Sequence, residues 1–106
     1  MKYVFVCKSG EYRSAIAARL VEKIAFENGF NVKTDYFGVR DGLSNEEKRN
    51  ILTDADRVYI MESYMKFDIE KILGFTSDIF CLDIEDNRDL TESGIKEVLQ
   101  QKIPFS

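Results

Sequence analysis

The chain has 106 residues, 44 % of them hydrophobic and 12 % aromatic, a size that predicts one domain over residues 1–106 with one core. A net charge of −4 with no basic face argues against a nucleic-acid or acidic-membrane partner, and no apolar run reads as a spanning helix or a signal peptide. The absence of histidine excludes His-based triads, His metal ligands and phosphohistidine chemistry within the chain, and two cysteines far apart in sequence make no disulfide framework, so a reducing cytoplasm is expected.

Lys2 to Val6 is a short apolar run that reads as a buried strand, and Ala15 to Ile24 carries apolar residues at helical spacing. Asn28-Gly29 supplies a helix C-terminal signal. Phe30 to Phe37 reads as a second strand whose polarity fits a sheet edge. Gly38 to Ser44 is a predicted loop, and Ser44-Asn45-Glu46-Glu47 has the cap-then-acid pattern of a helix start. The run Glu46-Glu47-Lys48-Arg49 reads as a solvated helix face. Asp56 to Met61 is a predicted third strand, Ser63 to Leu73 a helix stopped by Gly74, and Ile79 to Ile84 a fourth strand. Thr91 to Lys102 closes the chain as a helix before Pro104. Val58, Ile60, Phe75, Phe80 and Cys81 read as core. This alternation predicts an α/β domain, doubly wound, with a four-stranded parallel sheet flanked by helices. Ligands on such sheets sit beyond the strands' carboxyl ends, where strand order switches.

One loop carries chemistry. Cys7-Lys8-Ser9-Gly10-Glu11-Tyr12-Arg13-Ser14 joins the first strand to the first helix. Only a thiolate attacks, and a cysteine facing a helix N-terminus meets unpaired N–H groups and the positive dipole end. The five residues between Cys7 and Arg13 can curl with their N–H groups inward as an anion nest. Arg13 closes the ring with a planar fork suited to two phosphate oxygens, and Ser14 offers a hydroxyl to the thiolate. Gly10 suits a left-handed backbone in mid-loop. Lys8 through Ser14 are therefore candidate phosphate-binding residues, and Cys7 and Arg13 candidate catalytic ones. The simpler alternative makes Cys7 a small buried hydrophobe and Arg13 an exposed helix residue.

With these residues in place, the chain resembles the low-molecular-weight protein tyrosine phosphatase superfamily, in a short bacterial-type branch. The family opens with a strand, a Val-Cys-x-Gly-Asn-x-x-Arg-Ser loop and a helix, matched here by Val6 to Ser14. Ala55-Asp56-Arg57-Val58-Tyr59-Ile60-Met61-Glu62 is similar to its third strand. Leu82-Asp83-Ile84-Glu85-Asp86 resembles the Leu-Asp-hydrophobic-Pro-Asp segment that carries the general acid, with Glu85 in place of Pro. The resemblance implies a phosphocysteine mechanism. Cys7 attacks phosphorus, Arg13 and the loop amides stabilise the equatorial oxygens, and Asp86 protonates the leaving oxygen and then helps water break the phosphocysteine. It implies no cofactor and no metal, and a phosphorylated protein or small phosphomonoester as substrate. Asp83, Asp89 and Glu92 stand close enough in sequence to compete with Asp86; Asp83, inside the predicted strand, reads as structural.

Several positions depart from the family pattern. Ser9-Gly10 replaces the loop's Gly-Asn, so the side-chain brace of that Asn is missing, and the loop is either less rigid or braced by another residue. Glu11 must face solvent to avoid repelling phosphate, and Tyr12 stands where many members have a second loop cysteine. Asn87-Arg88-Asp89 replaces a Pro-Tyr-Tyr that walls an aromatic-sized pocket. Tyr36, Phe37 and Arg40 read equally as a pocket mouth or as an ordinary edge strand. Two other classes stay open: a phosphocarrier of the sugar-transport type, against which Arg13 argues, and a phosphate-binding module with little turnover. An arsenate-reductase reading would need further resolving cysteines, which Cys81 in its apolar strand does not supply.

Overall fold

The computed structural model describes residues 1–75, 78–86 and 90–103. Asn87, Arg88, Asp89 and Pro104 lie outside them, and with them the expectations placed on those positions. Four strands, β1 (Lys2–Cys7), β2 (Lys33–Gly38), β3 (Arg57–Ile60) and β4 (Ile79–Cys81), form one all-parallel sheet in the order β2-β1-β3-β4. The helices are α1 (Arg13–Glu27), α2 (Asn45–Leu52), a short α3 (Met65–Phe67) that runs into a π-helical turn (Asp68–Ile72), and α4 (Glu92–Lys102).

Strand order explains the winding. The chain leaves β1 for β2 on one side, then crosses back to β3 on the other. Right-handed crossovers of opposite direction put their helices on opposite faces. α1 accordingly packs on β1, β2 and α4, while α2 contacts β2 from the second crossover. The switch in strand order lies at the carboxyl end of β1, where Cys7 pairs with Gly38 and Val6 with Ile60. Central β1 is the most apolar strand because both its faces are covered: Val4, Phe5 and Val6 are fully buried.

β2 is the edge strand that its polarity predicts, although it starts at Lys33 rather than Phe30. Its inward amides continue the ladder, with Lys33 N–H donating to the Met1 carbonyl and Val39 N–H, just past the strand, to that of Cys7. The alternate amides face outward, and each meets a carboxylate. Thr34 N–H donates to Glu22, Tyr36 N–H to Asp35 and Gly38 N–H to Asp41, at 2.8–3.0 Å. An edge whose donors are occupied in this way does not template another strand.

Four expectations are corrected by packing. β4 ends at Cys81, not Ile84, because Asp83 takes a left-handed backbone with φ 55° that no strand continues. Asp83 is thus an exposed residue beyond the strand, tied to Lys102 at 3.4 Å. The predicted helix over 63–73 is a short α-turn followed by a π-turn. Phe80, expected in the core, is 41 % exposed; it stacks on Tyr59 and lies beneath the Arg57 guanidinium. Lys48, expected on a solvated face, is buried, with Nζ 3.1 Å from the Val39 carbonyl and 3.4 Å from Asp41.

Candidate active site

Residues Lys8 to Tyr12 turn between β1 and α1, and Arg13 and Ser14 open the helix. Cys7 and Ser14 are buried at its base, with Cys7 Sγ 3.0 Å from Ser14 Oγ. Gly10 N–H donates to the same sulfur at 3.1 Å, from a backbone with φ 75° that glycine adopts without strain. The sulfur thus has the Gly10 N–H and the Ser14 hydroxyl as its hydrogen-bond partners among the described residues. Lys8, Ser9, Glu11 and Tyr12 are exposed, so the Glu11 carboxylate stands in solvent as its charge requires. The Tyr12 hydroxyl donates to the Leu90 carbonyl at 3.1 Å, tying the end of the loop to the approach of α4.

Arg13 is neither exposed nor free, contrary to the simpler reading of its helix position. Only 4 % of it is accessible, and Nη1 donates to Glu62 Oε1 at 2.9 Å and to the Ile84 carbonyl at 2.7 Å. One edge of the guanidinium is thereby held by the protein. Nε and Nη2 carry no protein partner among the described residues, which leaves the other edge for an anion.

Glu62 is the residue of the candidate site that reading the sequence missed. It follows β3 directly after Met61, and its Oε1 also accepts the Asp86 N–H at 3.2 Å. The same carboxylate oxygen therefore joins the guanidinium to the segment after β4. Its place in the Met61-Glu62 match was the available signal; its partners were not visible in one dimension.

Among the rivals for the acid role, Glu92 is paired with Arg19 across α1 and α4. Asp83 accepts from the Cys81 thiol at 3.2 Å and from Lys102. These bonds hold the Asp83 carboxyl below the ordinary carboxylate range, the Cys81 hydrogen bond foremost. Burial, then the bond to Asp83, pushes the Cys81 thiol up, so it holds less thiolate than a free cysteine. The Asp86 side chain is exposed and stands beside Glu62, Ser63, Tyr64, Asp83 and Glu85 along a groove of about 430 Å³. A second cleft of about 660 Å³ opens on the other flank, between α1 and the β2 edge, lined by Glu11, Tyr12, Ile16 and Tyr36 among others. Tyr36 thus borders a cleft, whereas Phe37 is buried core and Arg40 is exposed.

The missing loop brace is replaced by backbone. Beyond β2 the chain stays beside the loop, with Val39 N–H donating to the Cys7 carbonyl at 2.9 Å and Arg40 N–H to that of Lys8 at 2.8 Å. Gly38 touches the loop so closely that a Cβ there would lie 2.2 Å from the Ser9 carbonyl carbon and 2.3 Å from the Gly10 nitrogen. Two glycines, one from each segment, permit this contact. Among the described residues, no group of three or more His, Cys, Asp or Glu side chains converges so as to hold a metal ion.

No family model matches the chain, and no curated protein matches its sequence. Solved structures do. A mutant of YwlE from Bacillus subtilis matches with a TM-score of 0.70 and 21 % identity, over 95 % of this chain and 90 % of that one. A form of the YwlE arginine phosphatase with a phosphorylated active-site serine matches with a TM-score of 0.70 and 20 % identity, over 95 % and 88 %. A low-molecular-weight protein tyrosine phosphatase from Bacillus subtilis, solved in solution, matches with a TM-score of 0.68 and 20 % identity, over 95 % and 89 %. A parallel sheet in the order β2-β1-β3-β4, shared with these structures along nearly its whole length, gives this chain the fold of the low-molecular-weight protein tyrosine phosphatases.

Proposed function

We propose that the protein is a metal-independent cysteine phosphatase that works through a phosphocysteine on Cys7. The observation that carries this reading is the buried sulfur receiving Gly10 N–H at 3.1 Å and lying 3.0 Å from Ser14 Oγ, six residues before a guanidinium anchored on one edge only. In the first step the Cys7 thiolate forms a bond to phosphorus as the ester oxygen leaves with a proton from Asp86. The free edge of Arg13 and the amides of Lys8 to Ser14 take the charge on the equatorial oxygens. In the second step Asp86, now ionised, takes a proton from water as its oxygen attacks phosphorus. Inorganic phosphate leaves and the thiolate returns, with Ser14 donating to it.

A phosphomonoester on a protein or a small molecule is the substrate class of this reading, and the cytoplasm its compartment. Among the described residues no helix is long and apolar enough to cross a membrane. One observation favours a second class of substrate. The groove beside Asp86 is lined by Glu62, Asp83 and Glu85 as well, a charge complementary to a cationic leaving group such as the guanidinium of phosphoarginine. One of the similar structures is that of an arginine phosphatase.

Hydrolysis of p-nitrophenyl phosphate in the presence of a chelator tests the reading, with vanadate as inhibitor and Cys7→Ser as control. Turnover that is vanadate-sensitive and lost in Cys7→Ser supports it. Vanadate binding without turnover by the wild type would replace it with a phosphate-binding module. A stoichiometric burst without turnover would point to a phosphocarrier. Phosphotyrosine and phosphoarginine peptides, compared by kcat/KM, then separate the two substrate classes.

A further inference from the structure

We propose that Asp41, clamped by Lys48, is a positioning residue that holds the Gly10 N–H against the Cys7 sulfur. The inference rests on the reading of Cys7 as nucleophile and concerns what keeps its loop in shape. Asp41 Oδ2 accepts Gly38 N–H at 2.9 Å, and Oδ1 accepts Leu43 N–H at 3.0 Å. One carboxylate thus closes the turn that follows β2. Lys48 reaches it from the first turns of α2 with Nζ 3.4 Å from Oδ1, and the same Nζ donates to the Val39 carbonyl at 3.1 Å. Ser44 fixes where α2 begins by accepting Glu47 N–H at 3.1 Å, and so fixes how far Lys48 reaches.

The pair is set deep for an ion pair on a loop, with side-chain exposures of 8 % for Lys48 and 11 % for Asp41. A lysine buried beneath a loop needs its carboxylate, so the turn has little freedom to open. That turn is the wall against which the phosphate loop rests. A Cβ on Gly10 would lie 2.7 Å from Gly38 N, the atom that donates to Asp41, and 3.4 Å from Asp41 Oδ2 itself. Contact therefore runs from Lys48 to Asp41, to Gly38, to Gly10, and from the Gly10 N–H to the sulfur. Among the described residues the sulfur's hydrogen-bond partners are Gly10 N–H and Ser14 Oγ, and Ser14 is held separately by α1. Slackening the turn withdraws the Gly10 donor and leaves the Ser14 contact in place.

The pH dependence of Cys7 alkylation by iodoacetamide, read on the Cys7-containing peptide, tests this in the wild type, Asp41→Asn and Lys48→Met. A change in access to Cys7 that leaves both of its hydrogen-bond partners in place changes the rate by the same factor at every pH and leaves the midpoint in place. Loss of a donor to the thiolate moves the midpoint up. The expected result is an upward shift of about one unit in Asp41→Asn, a tenfold smaller thiolate fraction below the midpoint, with a smaller shift in Lys48→Met. Midpoints equal to the wild type in both variants would overturn the inference. If Asp41→Asn does not fold, Lys48→Met decides alone by the same criterion. A wild-type profile identical to that of the unfolded chain would instead overturn the reading of Cys7 as an activated nucleophile, a result seen without either variant.

Discussion

Glu62 holds Arg13 by one edge: Oε1 accepts a hydrogen bond from Nη1 at 2.9 Å while the guanidinium is almost wholly buried. The same oxygen accepts the backbone N–H of Asp86 at 3.2 Å. A single carboxylate after β3 thereby fixes the residue proposed to bind phosphate and the residue proposed to protonate the leaving group. Removing it leaves a buried cation with the Ile84 carbonyl as its remaining partner among the described residues, and a buried charge stripped of its partner is costly.

Glu62→Gln keeps an acceptor but loses the charge. We expect destabilisation of about 1–3 kcal/mol, which in a domain of this size lowers Tm by roughly 5–20 °C. Vanadate affinity should fall with it, since Arg13 is no longer aimed. Thermal melts and vanadate titration of the variant check both, and an unchanged vanadate Kd in a destabilised protein would separate Arg13 aiming from stability.

Asp86→Asn removes the proposed acid while keeping the backbone N–H that Glu62 accepts. Protonation matters most when the leaving oxygen is basic, so alkyl phosphates should lose about 10²–10⁴-fold in kcat/KM, which reports the phosphorylation step, and p-nitrophenyl phosphate much less. A series of aryl and alkyl esters measures this. Equal losses across the series would count against Asp86 in that role.

Gly38→Ala is expected to displace the phosphate loop without breaking the sheet. The added methyl would sit 2.2–2.6 Å from backbone atoms of Lys8, Ser9 and Gly10, none of which can rotate away as a side chain can. Far-UV circular dichroism should stay near wild type while p-nitrophenyl phosphate turnover drops by at least about tenfold, the effect of roughly 1.4 kcal/mol at the transition state.

Asp41 also predicts an acid limit. Burial raises its carboxyl, but the hydrogen bonds from Gly38 and Leu43 and the charge of Lys48 outweigh burial and leave it below the ordinary value. A carboxyl depressed in the folded state adds stability above its unfolded pKa of about 3.9, and that stability is lost as pH falls through the folded value. Denaturant midpoints of wild type and Asp41→Asn should therefore differ at neutral pH and converge as the pH is lowered below the unfolded carboxyl's value of about 3.9. A gap that stays constant over that range would remove Asp41 from the account of acid sensitivity.

The legible parts of this chain were those written in local pattern. The apolar run of β1, the Cys7-to-Ser14 spacing, the Asn28-Gly29 stop and the Ser44 cap are short-range signals, and each has its counterpart in the structure. The alternation of strands and helices carried the winding of the sheet because crossover handedness leaves few alternatives. What stayed hidden depended on partners distant in sequence. Lys48 sits in a charge run that reads as solvated, and only the fold brings it under Val39 with Asp41 beside it. Glu62 gains its meaning from Arg13, 49 positions earlier. Phe80 reads as core by its type, but β4 is a sheet edge, where the ring stacks on Tyr59 and remains part exposed. Asp83 reads as strand by its neighbours, and a left-handed backbone turns the chain there instead.

The most direct test of the central claim is to quench the reaction with p-nitrophenyl phosphate in acid and measure the mass of the Cys7-containing peptide, in wild type and in Asp86→Asn. The account predicts a phosphoryl adduct on Cys7 in the wild type, accumulating further in Asp86→Asn as water attack slows. Turnover by both proteins with no adduct on that peptide at any quench time would contradict it, and the nucleophile would have to be sought outside the Cys7 loop.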